Sequence, residues 1–154
     1  MAEIDTGLAT VYGTITQAEG SRHAAYNETV LVVEDEDALR EVTRRLLTRQ
    51  GYQIITAANG TEAVAAARSH RGSIHLLLTD VIMPHMLGKE VAETITAGRP
   101  DLRVLYMSGS AQPLLAAQGR LDPNVTLLNK PFTETELLAK VSDVLACQSS
   151  TGRA

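Results

Sequence analysis

Residues Leu76–Gly88 read LLLTDVIMPHMLG, and the position of Asp80 in this stretch decides the fold. An apolar run ends on a carboxylate, and Pro84 follows four residues later. A lone acid is costly inside a buried strand. At the carboxyl end of a strand it meets no such cost, because the chain leaves the core there and a ligand can approach. The reading is therefore a strand over Ile74–Leu78 with Asp80 just beyond it, and a loop shaped by Pro84 and Gly88.

The same alternation appears on both sides of this stretch. Upstream, Thr29–Glu34 (TVLVVE) and Tyr52–Thr56 (YQIIT) read as strands. Downstream, Leu102–Met107 and Val125–Leu128 read as the fourth and fifth. Helical periodicity fills the gaps. Leu39, Val42 and Leu46 share a face in Asp37–Gln50, and Gly51 stops that helix. Asn59 with Glu62, and Thr133 with Glu136, have capping-box spacing. Val91 and Ile95 mark a helix ending at Gly98. Leu137, Leu138, Val141, Val144 and Leu145 stripe the last helix. Between the fourth and fifth strands, Pro113, Gly119 and Pro123 leave room only for a short, weakly anchored helix near Leu114–Gln118.

Apolar strands alternating with amphipathic helices predict an α/β fold, a parallel sheet covered on both faces. Five such units make it a doubly wound, flavodoxin-like (βα)5 fold, whose common strand order is 2-1-3-4-5, with ligands bound at the carboxyl ends of the strands. Glu34-Asp35, Asp80, Ser108 and Lys130 all fall at those ends. Three crowded carboxylates call for a compensating cation, and Mg²⁺ suits hard oxygen donors. A lysine and a hydroxyl beside them complement phosphoryl oxygens, and Asp80 is placed as a carboxylate nucleophile of the kind that forms an aspartyl-phosphate. Taken singly, each residue has an ordinary reading: an acidic helix start, a turn aspartate, a turn serine, a solvated lysine.

The chain's 154 residues, net charge of −4 and pI near 5.5 suit a soluble domain with no basic stripe, so direct DNA binding is not expected. Aromatic content of 3% offers no stacking platform for single strands. One cysteine, Cys147, excludes an internal disulfide, fits a reducing cytoplasm and reads as packing. No apolar run is long enough to span a membrane, and the N-terminus has no signal-peptide pattern. His23, His70, His75 and His85 make no metal-ligand spacing and read as surface or loop residues.

VLVVEDED, LLLTDVIMPHMLG, LYMSG and LNKPF, in this order, resemble the receiver domain of bacterial two-component response regulators over about residues 29–147. The resemblance implies that Asp80 accepts phosphate from a histidine kinase or histidine phosphotransfer protein. It implies that Glu34, Asp35, Asp80 and the backbone carbonyl of Ile82 hold Mg²⁺. Ser108 and Lys130 would engage the phosphoryl group, and Pro131 follows the lysine with a peptide bond that is often cis in the family. Phosphorylation and slow self-dephosphorylation would be its only chemistry, with a place as response regulator or phosphorelay intermediate. Output would be contact with a downstream protein through the face of the fourth helix, fifth strand and fifth helix, with a homodimer left open.

Leu127 stands where the family has a switch aromatic, so the usual switch is in doubt and ordering of Ser110–Pro123 is expected instead. Ile82 stands where a hydrolase of the aspartyl-phosphate type needs its second acid, which makes that rival poor, and its apolar side chain would shield a phosphoryl group from water. A phosphorylation-independent adaptor is the remaining alternative. Residues 148–154 read as a polar tail with no output domain after it.

GLATVYGTITQAEG, Gly7–Gly20, is similar to the segment of histidine-kinase ATPase domains that leaves the glycine-rich box, here reduced to DTGLA. Residues 1–28 are accordingly read as a relic extension unable to bind ATP, with Leu8, Val11, Tyr12 and Ile15 at helical spacing.

Overall fold

The computed structural model describes residues 28–109, 119 and 125–151. The N-terminal extension, the short helix near Leu114–Gln118 and the segment Ser110–Pro123 other than Gly119 lie outside these residues. In chain order the elements are β1 (Thr29–Val33), α1 (Asp37–Gln50), β2 (Gln53–Ala57), α2 (Gly60–Ser69), β3 (Leu76–Asp80), α3 (Gly88–Gly98), β4 (Arg103–Ser108), β5 (Leu127–Asn129) and α4 (Glu134–Thr151). The five strands form one parallel sheet in the order β2-β1-β3-β4-β5. This is the doubly wound, flavodoxin-like arrangement.

Strand alternation sorts the core into two layers. Leu31, Val33, Leu77 and Tyr106 face α2 and α3, packing with Ala63, Val91 and Ile95. Val30, Val32, Leu76, Leu78 and Met107 face α1 and α4, packing with Leu47, Leu137 and Val141. Helices on both faces leave every residue of β1 and β3 buried, which is why those strands are apolar without alternation. Leu31, Leu77 and Leu105 have no exposed surface, so cutting one back to alanine costs about 2–5 kcal/mol.

Local chemistry sets the helix ends. Gly51 takes the left-handed conformation at φ 112°, and its N–H donates to Thr48 O at 3.0 Å while Tyr52 N–H donates to Leu47 O at 3.2 Å. The Asn59 side chain accepts the Glu62 N–H at 2.8 Å, but the Glu62 carboxylate accepts the Ala58 N–H, one residue before the cap. Thr133 and Glu136 form the full reciprocal box, at 2.9 and 3.1 Å. Helix α4 continues through Thr151, into the stretch read as a polar tail, since no glycine or proline interrupts it before Gly152.

Four strands lie later in the chain than the sequence reading places them, while the first ends one residue earlier, at Val33 and not Glu34. The third strand is Leu76–Asp80 and not Ile74–Leu78; the fourth and fifth also begin and end later than their apolar runs. Asp80 and Ser108 are the last residues of their strands, in keeping with their placing at strand ends, and Asn129 ends the fifth. Ladder hydrogen bonds use the backbone and do not depend on side-chain polarity.

Candidate functional site

β3 delivers Asp80 to the sheet's carboxyl edge, where it pairs in register with Met107 and is 3% exposed. β1 delivers Glu34, which is 1% exposed, followed by the exposed Asp35. β4 ends in buried Ser108, whose carbonyl accepts the Lys130 N–H at 2.8 Å, so the backbone itself ties these two positions together. The Lys130–Pro131 peptide bond is cis.

The side chains converge. Lys130 Nζ lies 2.6 Å from Asp80 Oδ1 and 2.7 Å from Glu34 Oε1. The other Glu34 oxygen, Oε2, accepts the Glu36 N–H at 2.9 Å. Carboxylate oxygens of Glu34, Asp35 and Asp80 all lie within 4.8 Å of one another. Ile82 sits in the loop beyond Asp80 with its side chain 43% exposed, between buried Val81 and Met83.

The electrostatics follow from this crowding. Burial pushes the Asp80 carboxyl up to about 8; Lys130 pulls it down without offsetting the burial, and Glu34 adds to the rise. Burial works against the charge on Lys130, yet Asp80 and Glu34 together hold its ammonium above the usual lysine range. Asp80 Oδ2 is buried with no hydrogen-bond partner among the described residues. An orphaned carboxylate oxygen beside two further acids is a donor set suited to a hard divalent cation such as Mg²⁺.

Two contributors to the site were not read from the sequence. Arg40 Nη1 donates to the Glu34 carbonyl at 2.9 Å while Nη2 pairs with Asp37 at 2.6 Å, holding the end of β1 to the first turn of α1. Helical i,i+3 spacing predicts the Asp37 pair, but nothing in the sequence predicts the reach back to Glu34. The second is the close approach of Gly88 to the Asp80 carbonyl. His75 also differs from its surface reading: it is half-buried, and Nδ1 accepts the Thr29 N–H at 2.9 Å.

A doubly wound sheet whose carboxyl edge gathers three acids, a lysine and a serine defines a class of phosphoryl-handling signalling domain. The family model of the response regulator receiver domain matches residues 30–142, and the chain belongs to that family. It is 31% identical over 116 residues to the response regulator receiver protein CpdR of Brucella abortus (strain 2308), covering 75% of this chain and 95% of that protein. It is 34% identical over 120 residues to the sensor kinase CckA of the same organism; that match covers 78% of this chain but only 13% of the kinase. Among solved structures, the receiver domain from the hybrid histidine kinase CckA superposes with a TM-score of 0.64 at 35% identity, covering 76% of this chain and 98% of that one. Vibrio cholerae chemotaxis protein CheY4 superposes with a TM-score of 0.67 at 29% identity, covering 77% of this chain and 98% of that one. Among the described residues, no helix is long and apolar enough to cross a membrane.

Proposed function

We propose that this receiver accepts a phosphoryl group on Asp80 from the phosphohistidine of a histidine kinase or phosphotransfer protein, and signals by contact with a downstream protein. The observation that carries this reading is the Lys130 ammonium bridging Asp80 and Glu34 at 2.6 and 2.7 Å, beside an Asp80 oxygen that has no partner among the described residues. A carboxylate oxygen of Asp80 attacks phosphorus, the P–N bond of the donor breaks, and its electron pair returns to the imidazole. Lys130 then exchanges its carboxylate contact for a phosphoryl oxygen, and the Ser108 hydroxyl donates to a second one. Glu34, Asp35, Asp80 and the Ile82 carbonyl would hold Mg²⁺, which neutralises charge on the carboxylates and the transferring group. Hydrolysis of the aspartyl-phosphate is slow, because no second acid stands at Ile82 to activate water.

Output runs through β5 and α4 and the segment that precedes them, in the cytoplasm. Leu127 stands where the family has its switch aromatic and is too small to replace it, so ordering of Ser110–Pro123 is the switch expected here. Incubation with acetyl phosphate and Mg²⁺, followed by intact-mass measurement, tests the reading. The parent chain should gain one phosphate, and Asp80→Asn should gain none while keeping its fold. Labelling of Asp80→Asn to the parent level would move the site elsewhere, and an unlabelled parent would leave the adaptor function as the better reading.

A further inference from the structure

At the opposite, amino edge of the sheet, α2 and α3 lie side by side, and their carboxyl ends open a cleft of about 650 Å³. Its lining includes Ala67, Ile95 and Gly98 together with Arg68, Arg71 and Arg99. Among the described residues that line it, none is acidic. This gathers three cations in one place on a chain of net charge −4.

The three arginines do different work. Arg99 comes from the end of α3 and reaches across to α2. Its Nη1 donates to Gly72 O at 2.9 Å, and its Nη2 donates to Ala67 O at 2.9 Å and His70 O at 2.8 Å. These carbonyls sit at and just past the carboxyl end of α2, where the helix dipole is negative, so the Arg99 charge is largely satisfied. The same bonds pin the turn that presents Arg68 and Arg71. Both of those are exposed, and neither makes a hydrogen bond or ion pair with a described residue. A side chain added at Gly98 would meet nothing within 4 Å, so the cleft is unfilled there.

We propose that this cleft docks an acidic, extended segment of a partner protein, with carboxylates of that segment paired to Arg68 and Arg71. A pinned turn costs a ligand little ordering, and guanidinium groups pair bidentately with carboxylates. Small residues in the lining, Ala67, Gly72 and Gly98, let a peptide main chain come close. Nucleic acid fits less well. It draws affinity from many phosphate contacts and from stacking, while this chain is acidic overall with 3% aromatic residues. The surface is separate from the phosphoacceptor edge: residues 68–72 precede β3 and Arg99 precedes β4, whereas Asp80 and Ser108 end those strands. The proposal therefore stands or falls independently of the chemistry at Asp80.

Amide NMR titration of the full chain with a short synthetic peptide of alternating glutamate and serine tests it. Shifts should centre on residues 67–72 and 94–99, and binding should weaken at least about threefold between low and physiological salt. Arg68→Glu with Arg71→Glu should weaken binding about tenfold or more with an unchanged thermal melt, since neither side chain holds the fold. If that pair of charge reversals disturbs the melt, Arg68→Gln with Arg71→Gln gives the same reading with less repulsion. A glutamine–serine peptide that binds equally well, shifts centred elsewhere, or tighter binding of a single-stranded oligonucleotide at this cleft would each overturn the assignment.

Discussion

Gly88 packs directly against the carbonyl of Asp80, so that a Cβ at position 88 would overlap that oxygen, while the Gly88 N–H donates to Val81 O at 2.8 Å. The first residue of α3 and the last residue of β3 are thus held in contact across the loop that follows the candidate nucleophile.

Gly88→Ala must therefore push α3 away or displace the backbone at Asp80. The obstacle is main chain, which cannot rotate aside as a side chain can. The expected cost is about 2 kcal/mol or more in urea unfolding, with phosphorylation by acetyl phosphate slowed at saturating Mg²⁺. A substitution that leaves both stability and rate unchanged would show that the loop yields freely.

Lys130 is the cation shared by two buried carboxylates. Lys130→Met leaves Glu34 and Asp80 facing each other without a cation, and breaking such a set costs several kcal/mol unless one group takes a proton. Asp80 holds its proton readily, which limits the loss to about 2 kcal/mol near neutral pH. Millimolar Mg²⁺ should recover part of that loss in urea titrations, and chelation should reverse the recovery. If Mg²⁺ changes neither the parent nor the variant, the three acids do not bind it.

The sheet was legible because period and polarity agree along the chain: apolar β runs, amphipathic stripes, and caps at Gly51, Asn59 and Thr133; its order followed from the common arrangement of five-stranded doubly wound folds and not from spacing. The convergence of Glu34, Asp80, Ser108 and Lys130 was legible for a geometric reason. Parallel strands bring all their carboxyl ends to one edge. What escaped was whatever polarity misdescribes. Asp80 and Ser108 are polar, yet the ladder includes them, so strands read from apolar runs ended too early. Cross-element contacts escaped as well. Arg40 reaching the Glu34 carbonyl, His75 reaching Thr29 and Arg99 reaching α2 each join segments whose meeting depends on packing.

His75 supplies the acceptor for the first N–H of the interior strand β1. Since a backbone amide can only donate, Nδ1 accepts and the neutral ring carries its proton on Nε2. His75→Ala strands the Thr29 N–H at a buried residue and should cost about 1–2 kcal/mol. His75→Asn, whose side-chain carbonyl can also accept, should restore part of it. Amide hydrogen exchange at Thr29 is the direct readout. Equal protection of Thr29 in the parent and in His75→Ala would mean that this bond contributes nothing.

Among the described residues, Glu134 is the one buried carboxylate with no visible use at the candidate site. It lies in the first turn of α4, is 1% exposed, and neither oxygen has a hydrogen-bond partner among the described residues. An ionised acid would be favoured in a helix's first turn. In the fold, burial pushes its carboxyl up to about 7 against the pull of Arg49. The sign of the consequence follows from linkage. Above the ordinary glutamate value of 4.5 the unfolded chain releases this proton, while the folded chain keeps it until about 7. The group therefore lowers stability progressively as pH rises through that window, by about 2 kcal/mol once it is ionised in both states. Glu134→Gln keeps the shape and removes the ionisation. The variant should match the parent at pH near 4.5 and exceed it by about 2 kcal/mol at pH 8. All other groups titrate alike in the two proteins, so the difference between their stability curves isolates Glu134. A constant difference across this range, or a variant less stable at pH 8, would mean that Glu134 is ionised and satisfied in the folded protein.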